Sequence, residues 1–490
     1  MQDAEARKNL TLSYGKKVNE DFKISSSFFI GEGIRSDREY SDFYGNTFEM
    51  EDHNKLNPKM AKVDMQYKDF SFYFLADEYA TSNRDGYDVS YPDDVNVDFF
   101  SYIADVKYNF IVSDKINITP KVNYTRQKPW RAYWEKNKLY EIMDSEEWSF
   151  SDETVERMTE ELVINYSITD SFNLLTGVES YQEEASNDLP SYNGNYEVSY
   201  DNEACYLQGL LQSELGNITL GARYDNNSES GSAFVPRAAY TKLFENFHTK
   251  FLYGKSFRTP SISNISYSID SEGVRNHIVP EVSTIYEVEV GYTFIQKVFL
   301  SANFFQIEID DPIVYYYDEI DVYSNFDKTG TQGVELECKY KDNWGYVNLN
   351  YSYYEANDNK VDQYKVFDTE FNVIDEDVML GFPQHKVGLY SSFKIVENFS
   401  INPSLIYSGE KWGYNGVTED DILLANKFDS TTIINLNFSY EKLLNRWDLM
   451  IGVMNLTDEE ILYIQPYYDG YHAPLPGSSR EYFIKASCKM

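Results

Sequence analysis

The feature that most constrains this chain is the order of its connections. Segments of about 10–13 residues alternate apolar and polar side chains from end to end, and the stretches joining them are short and long in strict turn. The short ones fall near 17–21, 68–69, 111–114, 168–171, 215–217, 244–246, 294–297, 341–344, 396–398 and 441–445. The long ones fall near 34–59, 80–98, 127–157, 182–203, 225–233, 258–281, 310–330, 356–383, 409–428 and 457–478. Ten connections of each kind predict 21 strands. Asn, Asp, Gly and Lys dominate the short connections, as tight reverse turns require.

Two-sided alternation is clean in several strands. In "STTIINLNFSYE", Ile434, Leu436, Phe438 and Tyr440 face one way, and Ile433, Asn435, Asn437 and Ser439 the other. In "NWGYVNLNYSYYE", Val347, Leu349, Tyr351 and Tyr353 oppose Tyr346, Asn348, Asn350 and Ser352. A period of two gives each strand one apolar and one polar surface. A soluble sandwich shows the same local pattern but does not need short and long connections in rotation. More than about ten up-and-down strands flatten or split as an open sheet, and closure removes the edges. The expected fold is therefore all-β: a large antiparallel up-and-down transmembrane β-barrel, apolar outside, polar within, with short turns at one rim and long loops at the other. A soluble all-β array is the alternative.

Composition agrees. Tyr (44) and Phe (31) are abundant, and aromatic residues suit half-buried pleated surfaces and the interfacial girdles of a membrane barrel. No run approaches the roughly 20 apolar residues of a spanning helix. A formal net charge of -37 excludes general electrostatic attraction to nucleic acid. Cys205, Cys338 and Cys488 fall on the apolar sides of their strands and are expected to face lipid, so neither a zinc site nor a disulfide framework is expected. "MQDAEARKNL" lacks the apolar core of a signal peptide.

Three stretches resemble the barrel motifs of the TonB-dependent receptors of Gram-negative outer membranes. "YGKSFRTPSISNI" (253–265) followed by "VPEVSTIYEVEVGY" (279–292) is similar to their aromatic–Arg–small–Pro element and Pro-Glu strand entry. "YSNFDKTGTQGVELECKY" (323–340) resembles their Asn…Gly-Val-Glu entry. "GVMNLTDEEILYIQPYYDGYHAPLPGSSREYFIKASCKM" (452–490) resembles their C-terminal pair, with Asn-Leu-x-Asp closing the penultimate strand and a Gly-Arg-type element opening the last. "GSSR" (477–480) carries two extra residues there, and Met490 stands where the family usually ends in an aromatic residue.

The resemblance implies a 22-stranded barrel filled by a plug. "NLTLSYGKKVNEDFKISSSFF" looks like the family's second and third strands. The expectation is a single barrel domain over 1–490, without plug, signal peptide, TonB-contacting segment or first strand. The implied function is uptake of a scarce nutrient across the outer membrane, first a ferric-siderophore-type chelate, then cobalamin or haem. TonB would be the energising partner, lipid and lipopolysaccharide the surroundings, and the barrel a monomer. A passive pore or a barrel without transport is the alternative.

One long connection differs from the other, acidic ones. "TRQKPWRAYWEKNKLY" (125–140) sets basic residues among aromatic rings. Arg126, Lys128, Trp130, Arg131, Tyr133 and Trp134 are the candidate ligand-binding residues, because cations beside aromatic faces suit an anionic, partly aromatic chelate. The competing reading puts the tryptophans in the outer girdle and the cations on lipopolysaccharide phosphates. The loop 356–383 holds seven carboxylates and two lysines without a twelve-residue calcium pattern, which favours a solvated loop. His277 between the two motif halves is expected to be a surface histidine. Catalysis finds no support: no G-x-S-x-G elbow and no P-loop occurs, and neither a cofactor nor a metal site is expected.

Overall fold

The computed structural model describes the chain except for residues 1–6, 87–88, 134–149, 189, 193, 270–272, 275, 318–319, 467–471 and 490. Its strands join in one antiparallel sheet of 23 members that meanders in chain order. Phe110–Ser113 and Phe150–Asp152 are short segments that extend a neighbour's ladder on Ile116–Tyr133. The other 21 members each cross the wall, from Lys8–Lys17 to Glu481–Cys488.

Register fixes the two faces. Leu10 stands opposite Ile30, Phe74 opposite Ala104, Leu162 opposite Val178, and Leu436 opposite Val453. Leu10, Leu162 and Val178 are exposed, so this apolar face is the outer one. Ser13 opposite Ser27, Glu161 opposite Glu179 and Asn402 opposite Asn437 line the lumen. Cys205 opposite Val178 and Cys338 opposite Leu300 share the outer face, as their flanking residues imply. Aromatic neighbours mark the lower edge of the apolar band, among them Phe22–Tyr67, Tyr108–Phe110 and Tyr292–Phe294, with ring centroids 6.4, 4.4 and 4.3 Å apart.

Several strands run past the band into the connections. Ile116–Tyr133 has 18 residues and Glu197–Ser213 has 17, where about 9–11 tilted residues suffice to cross a membrane. The connection expected near 225–233 is consequently only a tight turn between Gly216–Asn227 and Gly231–Phe244. Gly231 takes φ 82° there, a left-handed conformation that glycine adopts without strain.

Among the described residues the wall strands are odd in number, so the first and the last of them run the same way. Lys8–Lys17 pairs with Phe22–Ile34, Glu481–Cys488 pairs with Trp447–Met454, and no ladder joins the two edges among the described residues. They are tied at the long-loop rim. Arg7 Nε lies 3.3 Å from Glu481 Oε1. Ser36 Oγ donates to Gly477 O at 3.1 Å, Ser478 Oγ to Arg35 O at 3.0 Å, and the Ser479 amide to Asp37 Oδ1 at 2.8 Å.

Above this junction the long connections fold on one another. Tyr40, Phe48, Met50, Val366, Leu380, Tyr414, Leu423 and Ala473 form a buried apolar cluster drawn from four of them. A smaller cluster joins Tyr192 and Tyr200 to Ile262 and Ile265 of a five-residue helix, Ile262–Ser266. Ser261 caps that helix by accepting from the Asn264 amide, and Asn264 returns the bond.

Candidate functional site

Two of the three family-like motifs meet in space at the long-loop rim, and the third is fastened at the same rim to the segment Arg35–Arg38. Arg258 of "FRTP" makes a two-pronged pair with Glu281 of "VPE", at 2.7 and 2.8 Å. Glu281 also accepts from the Ile313 amide at 3.1 Å. Asn325 of "YSNFD" accepts from the Val279 amide at 2.8 Å and donates to the carbonyls of Val279 and Asp311. The long connection 259–280 is thereby pinned at both ends to the next strand pair. In the last motif, Asn455 holds Glu459 by its amide and carbonyl, while Asp458 accepts from the Arg480 amide at 2.9 Å and from Arg38 at 3.0 Å. The two residues added in "GSSR" bond to the segment Arg35–Asp37.

Within the barrel the wall is charged but largely self-paired. Arg223 bridges Glu179 at 2.8 Å and Asp225 at 2.7 Å, Tyr206 donates to Glu161 at 2.8 Å, and Lys250 meets Glu287 at 2.8 Å. Gly177 makes room for Tyr206, since a Cβ there would lie 2.3 Å from its hydroxyl. A cavity of about 740 Å³ lies against the inner wall at the short-turn end, among Lys17, Lys23, Asp64, Asp105 and Lys107.

The mouth is different. Lys386 faces inward, opposite Ser352 and Ser408. Its ammonium lies 6.0 Å from the centroid of the Tyr354 ring. Lys411, on the loop hairpin Lys411–Val417 with Leu423–Phe428, donates to the Leu462 carbonyl. Among the described residues neither ammonium has a carboxylate within ion-pair distance. Burial pushes the Lys411 ammonium below the usual lysine range, and the charge of Lys386 pushes it further. The Tyr354 hydroxyl is buried without a partner among the described residues. Two cations and an unpaired phenol thus stand together on the lumenal side of the loops, in a chain of net charge -37. Sequence reasoning missed this group because its members lie far apart in the chain and match no motif.

The residues singled out from the sequence fall elsewhere. Arg126 stands opposite Tyr102 and Glu156, and Lys128 opposite Phe100. Tyr102 belongs to the outer face with Phe74, so Arg126 and Lys128 face outward, and Arg131, opposite Asp98, does so too. Each has an acid: Arg126 meets Glu156 at 3.3 Å, and Lys128 and Arg131 meet Asp152 at 2.5 and 3.7 Å. The stretch expected to be a loop continues as strand to Tyr133, and alternation then turns these cations away from the lumen. Trp130 and Tyr133 are on the same strand. Trp134 lies outside the described residues.

His277 is exposed. In the loop 357–384, Asp368 is occupied by the amides of Glu370 and Asn372 at 2.9 Å each. Among the described residues no group of three or more acidic, His or Cys side chains is placed to hold a metal ion.

An up-and-down barrel with an apolar exterior, a charged inner wall and long loops packed over one mouth is the architecture of an outer-membrane barrel. Residues 10–456 match the family model described as TonB dependent receptor-like, beta-barrel, and the chain belongs to that family, whose members are transport receptors of the outer membrane. It is 24% identical over 294 residues to a vitamin B12 transporter of Photobacterium profundum, covering 58% of this chain and 44% of that one. The chain thus spans less than half the length of this curated relative. Among solved structures it resembles the siderophore receptor PirA of Acinetobacter baumannii, with TM-score 0.75, 14% identity, and coverage of 100% of this chain and 79% of that one. The ferric enterobactin receptor of Pseudomonas aeruginosa gives TM-score 0.74 at 12% identity, with 100% and 78% covered. At such identities the likeness to the solved structures is one of fold.

Proposed function

We propose that this chain is the barrel of a receptor that takes up a scarce nutrient across the Gram-negative outer membrane as an anionic metal chelate of the ferric-siderophore kind. The observation that carries the reading is the pair Lys386 and Lys411, cations without carboxylate partners among the described residues, beside the unpaired Tyr354 hydroxyl. Lys411 is partly buried and Lys386 stands exposed beside it; two like charges without counter-charge repel each other, and an anion entering the mouth relieves that cost. Catecholate or hydroxamate oxygens around a metal would accept from both lysines, and an aromatic ring would support them. Cobalamin, which is not anionic, gains less from the same groups. Passage would be coupled to TonB, as in the family. Arg126, Lys128 and Arg131 are assigned to lipopolysaccharide phosphates, because they stand on the outer face above the apolar band.

The test is direct binding to the purified barrel in detergent. Lys386→Ala and Lys411→Ala should each weaken a ferric tris-catecholate by roughly tenfold, the loss of one charge-assisted bond. They should leave cobalamin affinity within about twofold. Equal losses for both ligands, or none for the chelate, would overturn the reading.

A further inference from the structure

The short turns carry a feature that reverse turns seldom show. Their tips hold exposed aliphatic side chains: Val18 at 48%, Leu215 at 82%, Ile295 at 80% and Leu444 at 82% exposure. Asn, Asp or Gly would serve these bends better. Ile295 and Leu444 even adopt the left-handed region, φ 42° and 52°, which is strained for a β-branched residue such as Ile295. All four positions lie at the same rim, on turns spread along the sheet from its first strand pair to its nineteenth wall strand. The turn at Asp170 and Ser171 is polar and provides an internal contrast.

These tips continue the outer apolar band. On the outer face at the same level Phe244 packs on Phe247 at 5.8 Å. Ile295 follows Phe294, which packs on Tyr292. Phe110 packs on Tyr108 at that level too. Leu444 precedes the exposed Trp447. Cations accompany them: Lys68 Nζ lies 5.6 Å from the Tyr67 ring centroid and Lys242 Nζ 5.3 Å from that of Phe244. Aliphatic tips, amphipathic rings and lysines at one level match the acyl–headgroup boundary of a lipid leaflet, with the lysines reaching the phosphates. A compact protein partner could not cover sites distributed around a barrel, whereas a lipid surface reaches all of them.

We propose that the short-turn rim is a lipid-contacting surface, its aliphatic tips immersed in the acyl–headgroup boundary of the adjacent leaflet rather than standing in water. The rim would anchor the barrel vertically, so that the wall cannot ride up when the mouth is loaded or pulled.

The experiment uses the whole chain with Cys205, Cys338 and Cys488 changed to Ser, and one new cysteine each at Leu215, Ile295, Leu444 or Ser171. Each carries a small fluorophore in phosphatidylethanolamine–phosphatidylglycerol vesicles. Only samples that keep heat-modifiable gel mobility, the sign of a folded barrel, are scored. At the three apolar tips a nitroxide on the upper acyl chain should quench several-fold more than an aqueous quencher, with the order reversed at Ser171. Aqueous quenching at the tips equal to that at Ser171 overturns the proposal. Shielding of the tips from both quenchers also overturns it, because protein rather than lipid would then cover them.

Discussion

Lys411 shows how one residue sets a pH dependence. Its ammonium is held below the usual lysine value of 10.5 by burial and by Lys386. A bound anion stabilises the charged form, so binding takes up a proton in the range between the depressed and the ligand-bound pKa. Chelate affinity should therefore decline as pH rises through the depressed value. Lys411→Arg, which stays charged throughout, should flatten that decline, read by fluorescence titration at several pH values. Parallel profiles for the two proteins would remove Lys411 from the binding step. Gly177 is a steric counterpart in the wall. A methyl group there would meet the Tyr206 hydroxyl and, at 2.9 Å, the Leu162 carbonyl oxygen. Gly177→Ala should destabilise the barrel by about 1–3 kcal/mol through overpacking, seen as a lower urea midpoint in vesicles.

At the scale of elements, the loop cap behaves as a small core of its own. Leu380 is 1% exposed within the cluster that joins four connections. Leu380→Ala should weaken the cap by about 2–5 kcal/mol while leaving the wall ladders intact. Trypsin should then cut at Lys360 or Lys365 at least tenfold faster, with heat-modifiable mobility unchanged. A wall that melts together with the cap would show that the two are one cooperative unit. His472 gives the same element a pH response. Burial lowers its pKa below 6.5, opposed by Asp85 and assisted by Arg35. Between that value and 6.5 the unfolded cap holds more protons than the folded one, so cap stability falls as pH drops through this window. Tryptic cleavage of the cap should accelerate on acidification from pH 7, and His472→Gln should blunt the change.

At the scale of the whole molecule, the fastening of the two sheet edges is decisive. Among the described residues twenty-one antiparallel crossings leave two edges that run the same way, and no ladder forms between them. The ring is instead fastened at one rim, by Arg7 with Glu481 and by Ser36, Asp37 and Arg35 with Gly477, Ser479 and Ser478. Asp37 is 5% exposed, so Asp37→Ala strands the Ser479 amide, a loss of about 1–3 kcal/mol concentrated at the junction. The temperature at which the folded gel band is lost should drop measurably, while Asp358→Ala in the solvated loop should leave it unchanged. Equal temperatures for the two variants would place the fastening elsewhere.

What the sequence determined by itself was whatever depends on neighbours along the chain. Alternation of period two set the outer and inner faces, as Ile434 to Tyr440 against Ile433 to Ser439 illustrate. Turn chemistry set the order of connections, and together these gave 21 wall crossings and the barrel. Three local motifs were enough to suggest the family. Tertiary structure alone decided where each strand ends and what the long connections do. Ile116–Tyr133 runs on beyond the band because its ladders with Val95–Tyr108 and Phe150–Asp152 continue to Tyr133, and that turned Arg126, Lys128 and Arg131 outward. The meeting of Lys386, Lys411 and Tyr354, the cap that joins Tyr40 to Leu380 and Ala473, and the bonds between Arg35–Asp37 and Gly477–Ser479 span hundreds of residues in some cases and dozens in others. Such contacts leave no periodic trace in a sequence, because each depends on loop closure by the finished ring rather than on the residues beside it.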